Sequence, residues 1–339
     1  MRLTSWRTSL AWSAPLVAAI SLVTGLAIVE RSPPDQKRPP RQLVSDARVP
    51  PKNARCAECH QEIAQRFAES GHARTLLPGN ARELLARFVD QEFQWPSNGP
   101  RYRYVVSEQK VWLTRDDSPI RLPIDWILGD GHHGQTAVTL TINPAGATEL
   151  WQHALSWYPQ AGLALTPGFD ASRPAQEGVA GLGEWLNHAS ALECLGCHAT
   201  YLPMNSQGAI QSERIQVGVG CVRCHYDADR HVIERGATGS FLEKWPRLSP
   251  RESINRCGEC HRQAEQIALM TPGPLHCDRT DLIRFAPVGL TQCRCFTGQE
   301  ATGKDSPPIR LDCISCHMPT VETAPHLHLT DHWIRIRRK

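Results

Sequence analysis

The pattern of apolar and polar positions changes character along the chain. Leu10 to Val29 form an uncharged run, with Arg2 and Arg7 before it and Glu30 and Arg31 after it. Such a run, at 1.5 Å rise over about 20 residues, spans ~30 Å, the thickness of a bilayer's hydrocarbon core. Positive charge ahead of it keeps the N-terminus cytoplasmic. A single N-terminal transmembrane helix within residues 1–30 is the favoured expectation. The alternative is a cleaved signal, for which Gly25-Leu26-Ala27 is a weak site. From 31 to 52 the chain is rich in proline (Pro33, Pro34, Pro39, Pro40, Pro50, Pro51) and reads as a semi-extended linker.

Beyond the linker, Gln61–Glu69 has the period of an amphipathic helix. Tyr102–Val106 and Val111–Thr114 alternate as strands do, and the β-branched run Ala137–Ile142 stops at the turn signal Asn143-Pro144. This predicts a small antiparallel β subdomain at about 80–185. Trp95, Trp112, Trp126, Trp151, Trp157 and Trp185 are its expected core. Short helices are predicted at Glu184–Ala191, Pro250–Asn255 and Glu259–Ala268. One domain over 53–339, mainly helical and irregular around that β insertion, is the expected architecture.

Charge and cysteine spacing then decide the class. The net charge is +3 and aromatic residues make up 6%. That balance excludes a basic nucleic-acid module, a collagen-like chain and a long acidic tail. Ten of the 13 cysteines fall in five copies of one pentapeptide. The copies are Cys56-Ala57-Glu58-Cys59-His60, Cys194-Leu195-Gly196-Cys197-His198, Cys221-Val222-Arg223-Cys224-His225, Cys257-Gly258-Glu259-Cys260-His261 and Cys313-Ile314-Ser315-Cys316-His317. Cys-x-x-Cys-His is the attachment signature of c-type haem. Two thiols add across the two haem vinyl groups, and the next residue gives the iron its proximal imidazole. A four-thiolate zinc site is the alternative, but zinc does not demand a histidine after every second cysteine.

Five c-type haems are therefore expected. Their thioether anchors are the ten motif cysteines, and their proximal ligands are His60, His198, His225, His261 and His317. The fold class becomes a mainly α and irregular cytochrome built around packed haems, whose apolar plates replace part of the protein core. Their propionates give a use to 31 arginines against six lysines, since guanidinium grips carboxylates with two bonds. Ten of the 15 histidines remain. That surplus suits a second imidazole on most irons. Cys277, Cys293 and Cys295 are left over; one disulfide from Cys277 to either of the others is possible, and a Cys295 thiolate ligand is the less favoured option.

At this point the chain resembles the multihaem c-type cytochromes related to the tetrahaem cytochrome c of ammonia oxidation. It looks closer to a pentahaem group often fused to tetratricopeptide repeats. The likeness runs from about Arg55 to Arg337. It is carried by Ser70-Gly71-His72, Gly129-Asp130-Gly131-His132-His133, Trp157-Tyr158-Pro159, Thr166-Pro167-Gly168-Phe169-Asp170, Val288-Gly289-Leu290, His317-Met318-Pro319, His326 and Thr330-Asp331-His332. Two departures stand out. Tyr226-Asp227-Ala228 replaces the glycines usual after the third motif, although His231 keeps the spacing, and the tetratricopeptide repeats are absent. The resemblance together with the spacing implies distal ligands at His72, His231, His326 and His332, with His133 and His188 competing for the rest.

The implied function is electron carriage through five haems on the periplasmic side of the cytoplasmic membrane, the protein being anchored or, alternatively, secreted. Redox partner proteins or a membrane quinol-oxidising complex are the expected partners, and nucleic acid is not. The alternative is a reductase or oxidoreductase acting on a small nitrogen or sulfur species at one open haem. Pentahaem nitrite reductases do this with a Cys-x-x-Cys-Lys motif, which this sequence lacks.

Overall fold

The structure, a computed structural model, describes residues 52–172, 175–226, 228–234, 248–276, 278–293, 296 and 320–333. Fourteen strands occur among them: β1 Leu76–Pro78, β2 Glu92–Gln94, β3 Arg101–Ser107, β4 Lys110–Arg115, β5 Ser118–Pro123, β6 Trp126–Leu128, β7 Gln135–Ile142, β8 Thr148–Tyr158, β9 Gly162–Leu165, β10 Gly183–Leu186, β11 Ala199–Tyr201, β12 Gln216–Val217, β13 Thr320–Ala324 and β14 Leu327–Thr330. The helices are α1 Asn53–Ala57, α2 Gln61–Ala68, α3 Arg82–Phe88, α4 His188–His198, α5 Cys221–Cys224, α6 Ala228–Ile233, α7 Pro250–His261, α8 Ala264–Met270 and α9 Ala286–Gln292.

Two antiparallel sheets dominate. One runs β1-β6-β7-β8-β10, with β9 also on β8; the other runs β2-β3-β4-β5. In β3 and β4 the alternation read from the sequence places Tyr102, Tyr104, Val111 and Leu113 inward. They pack with Leu84 and Phe88 of α3, one helical turn apart, and with Ile127, Ala137 and Leu155 from the larger sheet. The other face of that sheet presents Leu76, Trp126, Val138 and Leu150 to Ala191 and Leu195 of α4. Covered on both faces, β8 is buried almost continuously instead of alternating.

This corrects the expected fold class. Helix and strand each supply about one third of the described residues, in several antiparallel sheets, so the protein is not mainly helical. The β region is large because β8 and β10 pair over residues whose local pattern reads as helix. Trp185 lies opposite Trp151, and only after it does Asn187 cap α4, accepting from the Ser190 N–H at 3.0 Å. The two helices expected at 250–255 and 259–268 are instead α7 and α8. Helix α7 starts at a capping box between Ser249 and Glu252, with Pro250 in its first turn, and runs unbroken through the fourth motif. Arg262, at φ 57°, ends it. Of the six tryptophans, Trp95 and Trp126 are buried, whereas Trp185 is exposed.

The transmembrane helix and the membrane-anchored location are not borne out. No helix among the described residues is long and apolar enough to cross a membrane, and the run 10–29 lies outside those residues.

Candidate functional site

Four of the five pentapeptides fall within the described residues; Cys313, Cys316 and His317 lie outside them, as do Cys277 and Cys295. Each described motif is seated on a helix end. Cys194–His198 closes α4, Cys257–His261 closes α7, Cys221–Cys224 is α5 itself, and Cys56 sits on α1. Residues three and four apart share a helix face, so in α4 and α7 both thiols and the imidazole of the motif project to the same side. Among the described motif cysteines, Cys56, Cys59, Cys194, Cys197, Cys221, Cys257 and Cys260 form no disulfide. No group of three or more His, Cys, Asp and Glu side chains placed to hold a bare metal ion occurs among the described residues.

The motifs are stitched together by backbone polar groups. Asn53 Oδ1 accepts from the Cys221 N–H at 3.0 Å, and the Val219 N–H donates to the His72 carbonyl at 2.8 Å. The buried Thr200 hydroxyl donates to the Gly218 carbonyl and accepts from the Gly220 N–H, both at 2.7 Å. Gly218 has φ +70°, and a Cβ there would stand 2.1 Å from the Ala73 carbonyl oxygen. Only glycine allows that approach. Thiols of different motifs therefore meet. Cys56 lies against Cys221, and burial with that neighbour raises its pKa to about 11. The Cys197 thiol donates to Cys260, which raises Cys197 and lowers Cys260.

The imidazoles fall into a definite arrangement. His60 and His231 have ring centres 6.4 Å apart with planes 23° from parallel; His72 and His261 are 6.1 Å apart with planes at 81°. Two imidazoles on opposite sides of one metal ion, each with a bond of about 2 Å, place their ring centres about 6 Å apart. His198 donates Nδ1–H to the Thr75 carbonyl at 2.9 Å, and His188 Nδ1 lies 2.8 Å from the Thr148 carbonyl. Such a bond fixes the tautomer and leaves Nε2 with its lone pair free. Burial lowers the pKa of His198; burial, then His72, His332 and His198, lower that of His261. Both rings are thus held in the neutral form that can bind a metal. The Nδ1 atoms of His231 and His332 are buried without a hydrogen-bond partner. Paired rings, oriented tautomers and orphaned buried nitrogens fit iron-bound haem.

The other histidines have different local surroundings. His133 is exposed in the turn after Asp130, whose carboxylate holds His132 at 3.0 Å. His225 follows α5 on the surface. His326 occupies the β13–β14 turn at φ 65°, with its ring 6.0 Å from Tyr158. His153 is a core residue, held by the Tyr104 hydroxyl at 3.2 Å and the Thr139 hydroxyl at 2.8 Å. Sequence reasoning missed Asn53, Thr75, Thr148 and Thr200. Two of them act through carbonyls, which any residue offers, so no residue type marks them.

The family described as cytochrome c554 and c-prime matches residues 171–226, about one sixth of the chain and the span that holds the second and third motifs. The outer cell wall cytochrome OcwA is similar in structure at a TM-score of 0.37 and 18% identity, over 63% of this chain and 37% of that one. This chain therefore spans little more than a third of that protein's length. No curated protein matches the chain. The family match and the motifs it contains support a c-type cytochrome in electron transfer.

Proposed function

We propose that this chain carries electrons through five covalently attached c-type haems, exchanging them with redox partner proteins. The observation that carries the reading is the opposition of His60 to His231 and of His72 to His261, at 6.4 and 6.1 Å, beside cysteine pairs on helix ends. Bound haem supplies one-electron iron chemistry. The chain's part is to anchor and to orient. Cys56 and Cys59, Cys194 and Cys197, Cys221 and Cys224, Cys257 and Cys260, and Cys313 and Cys316 would each hold one ring system. His60, His198, His225, His261 and His317 would be the proximal ligands. His231 and His72 would fill the far sides opposite His60 and His261. His188, oriented by Thr148, and His332, with its buried Nδ1, are the next distal candidates. At the two haems that these pairs would hold, histidine on both sides would leave no position for a substrate, which favours carriage over catalysis.

The test uses the haem-loaded protein. Intact mass and the pyridine haemochrome spectrum are expected to agree on five haems, and ferric electron paramagnetic resonance to show low-spin signals. His231→Ala is expected to convert one low-spin haem to high-spin. A colourless protein, or a His231→Ala variant that keeps every low-spin signal, would overturn the reading. A wild-type high-spin haem that binds cyanide would replace carriage by catalysis at an open site.

A further inference from the structure

Haem attachment fixes the cysteines and the histidine of Cys-x-x-Cys-His and leaves the intervening positions free. In the third and fourth motifs two of those free positions hold Arg223 and Glu259, and the fold sets both beside Cys260. Arg223 Nη2 donates to Cys260 Sγ at 3.5 Å, from one motif to the next. The Cys197 thiol donates to the Cys260 carbonyl at 3.9 Å, so the second motif meets the fourth at the same residue. The two charges are held differently. Glu259 accepts from the Tyr226 hydroxyl and lies 3.5 Å from Arg256 Nη1, whose guanidinium stands 4.1 Å over the Tyr226 ring. Arg223 Nε, by contrast, is buried with no hydrogen-bond partner.

A buried donor left unpaired costs stability, and attachment chemistry requires no arginine at this position. What the placement supplies is charge. Cys260 Sγ would become a thioether bonded to its haem, so a cation against that sulfur lies at the edge of the ring system. Reduction of ferric iron adds one electron and removes one positive charge from the site, so a neighbouring cation favours the ferrous form. Partial burial keeps the screening of that cation weak. A unit charge about 10 Å from a redox centre, at an effective dielectric constant of ~20, shifts such an equilibrium by roughly tenfold. We infer that, on the haem reading above, Arg223 raises and Glu259 lowers the reduction potential of the haem attached through Cys257 and Cys260. A variable residue of the third motif thus tunes the haem of the fourth. The Glu259 effect is the smaller, because Arg256 offsets its charge.

Spectroelectrochemical titration of the haem-loaded protein tests this. Arg223→Gln is expected to shift the reduction equilibrium of one haem about tenfold towards the ferric form, ~59 mV lower for one electron. Arg223→Lys, which keeps the charge, should retain most of the wild-type potential. Glu259→Gln should raise the potential of the same haem by a smaller amount. Arg121→Gln, in the β region where Arg121 pairs with Glu108 at 2.9 Å, should move none. Haem count and low-spin spectrum are compared with wild type in each variant, which separates a lost charge from a lost structure. If Arg223→Gln fails to load a haem, the Glu259→Gln shift decides: upward supports the inference, and none or downward overturns it. A wild-type protein without haem would end the haem reading itself. With haem present, potentials unmoved by Arg223→Gln, an equal shift in Arg223→Lys, or a Glu259→Gln shift in the same direction would overturn the inference alone.

Discussion

Strand β8 and helix α8 bury themselves in different ways. In β8, Leu150, Ala154 and Leu155 are completely enclosed by neighbouring strands and by α4. In α8, Ala264 and Ile267 are covered, but Leu269 and Met270 are 91% and 60% exposed. Polar groups divide along the same line. Among the described residues, the buried side-chain nitrogens that lack a partner all lie at residue 223 or later, His231, His328 and His332 included, and none lies in the two large sheets. Burying such a group unpaired costs about 1–3 kcal/mol. The β region is completed by its own side chains. The motif region is the part of a fold that a large apolar, nitrogen-coordinating partner would complete, as the proposed haems would.

The comparison is open to direct attack. Its largest expected consequence concerns hydrogen exchange with and without haem. Amides of β7 and β8 should stay protected in protein produced without haem attachment, while those of α7 and α8 lose protection by orders of magnitude. Equal loss in both regions would abolish the distinction. Next in size are two truncations of the same residue type. Leu155→Ala is expected to destabilise by about 3 kcal/mol, whereas Leu269→Ala should cost under ~0.5 kcal/mol, read from urea unfolding followed by circular dichroism. Similar shifts would show that α8 is covered as well as β8.

A change of pH sharpens the picture of the β core. Burial pushes the His153 imidazole down to about 3. An unfolded chain binds that proton near pH 6.5 and the folded one does not, so stability is intact above pH 6.5 and falls as pH drops towards 3. The contribution is at most about 1.4 kcal/mol per pH unit. His153→Gln, which retains a donor and an acceptor, should flatten that slope. A wild-type stability that does not change between pH 6.5 and 4 would mean that the ring is not buried neutral.

What was legible in the sequence depends on the range of the interaction that decides it. The pentapeptides are local chemistry and stand out at once. So does the alternation in β3 and β4, where one face is buried. The strand β10 does not, because Glu184 to Leu186 are extended only through pairing with β8, some 35 residues earlier in the chain. The continuous helix through Cys257-Gly258-Glu259 was hidden by Gly258, a poor helix former that α7 tolerates where a Cβ would meet Gln263 Cγ at 2.6 Å. Among histidines, residue type says nothing of role. His153 and His188 are set apart by what their ring nitrogens meet, two hydroxyls in one case and a single carbonyl in the other.

The stitch from Asn53 to Cys221 also carries a clock. The first motif leaves the ribosome early, yet the N–H that its neighbour Asn53 accepts, and the Val219 N–H that reaches the His72 carbonyl, belong to a segment more than 140 residues downstream. At a synthesis rate of about 5–20 residues per second, that segment follows roughly 10–30 s later. Throughout that interval the nascent chain presents Cys56, Cys59 and His60 without their eventual surroundings. Whatever engages the first motif during that interval thus meets it as an open peptide, before the segment that carries the third motif has been made.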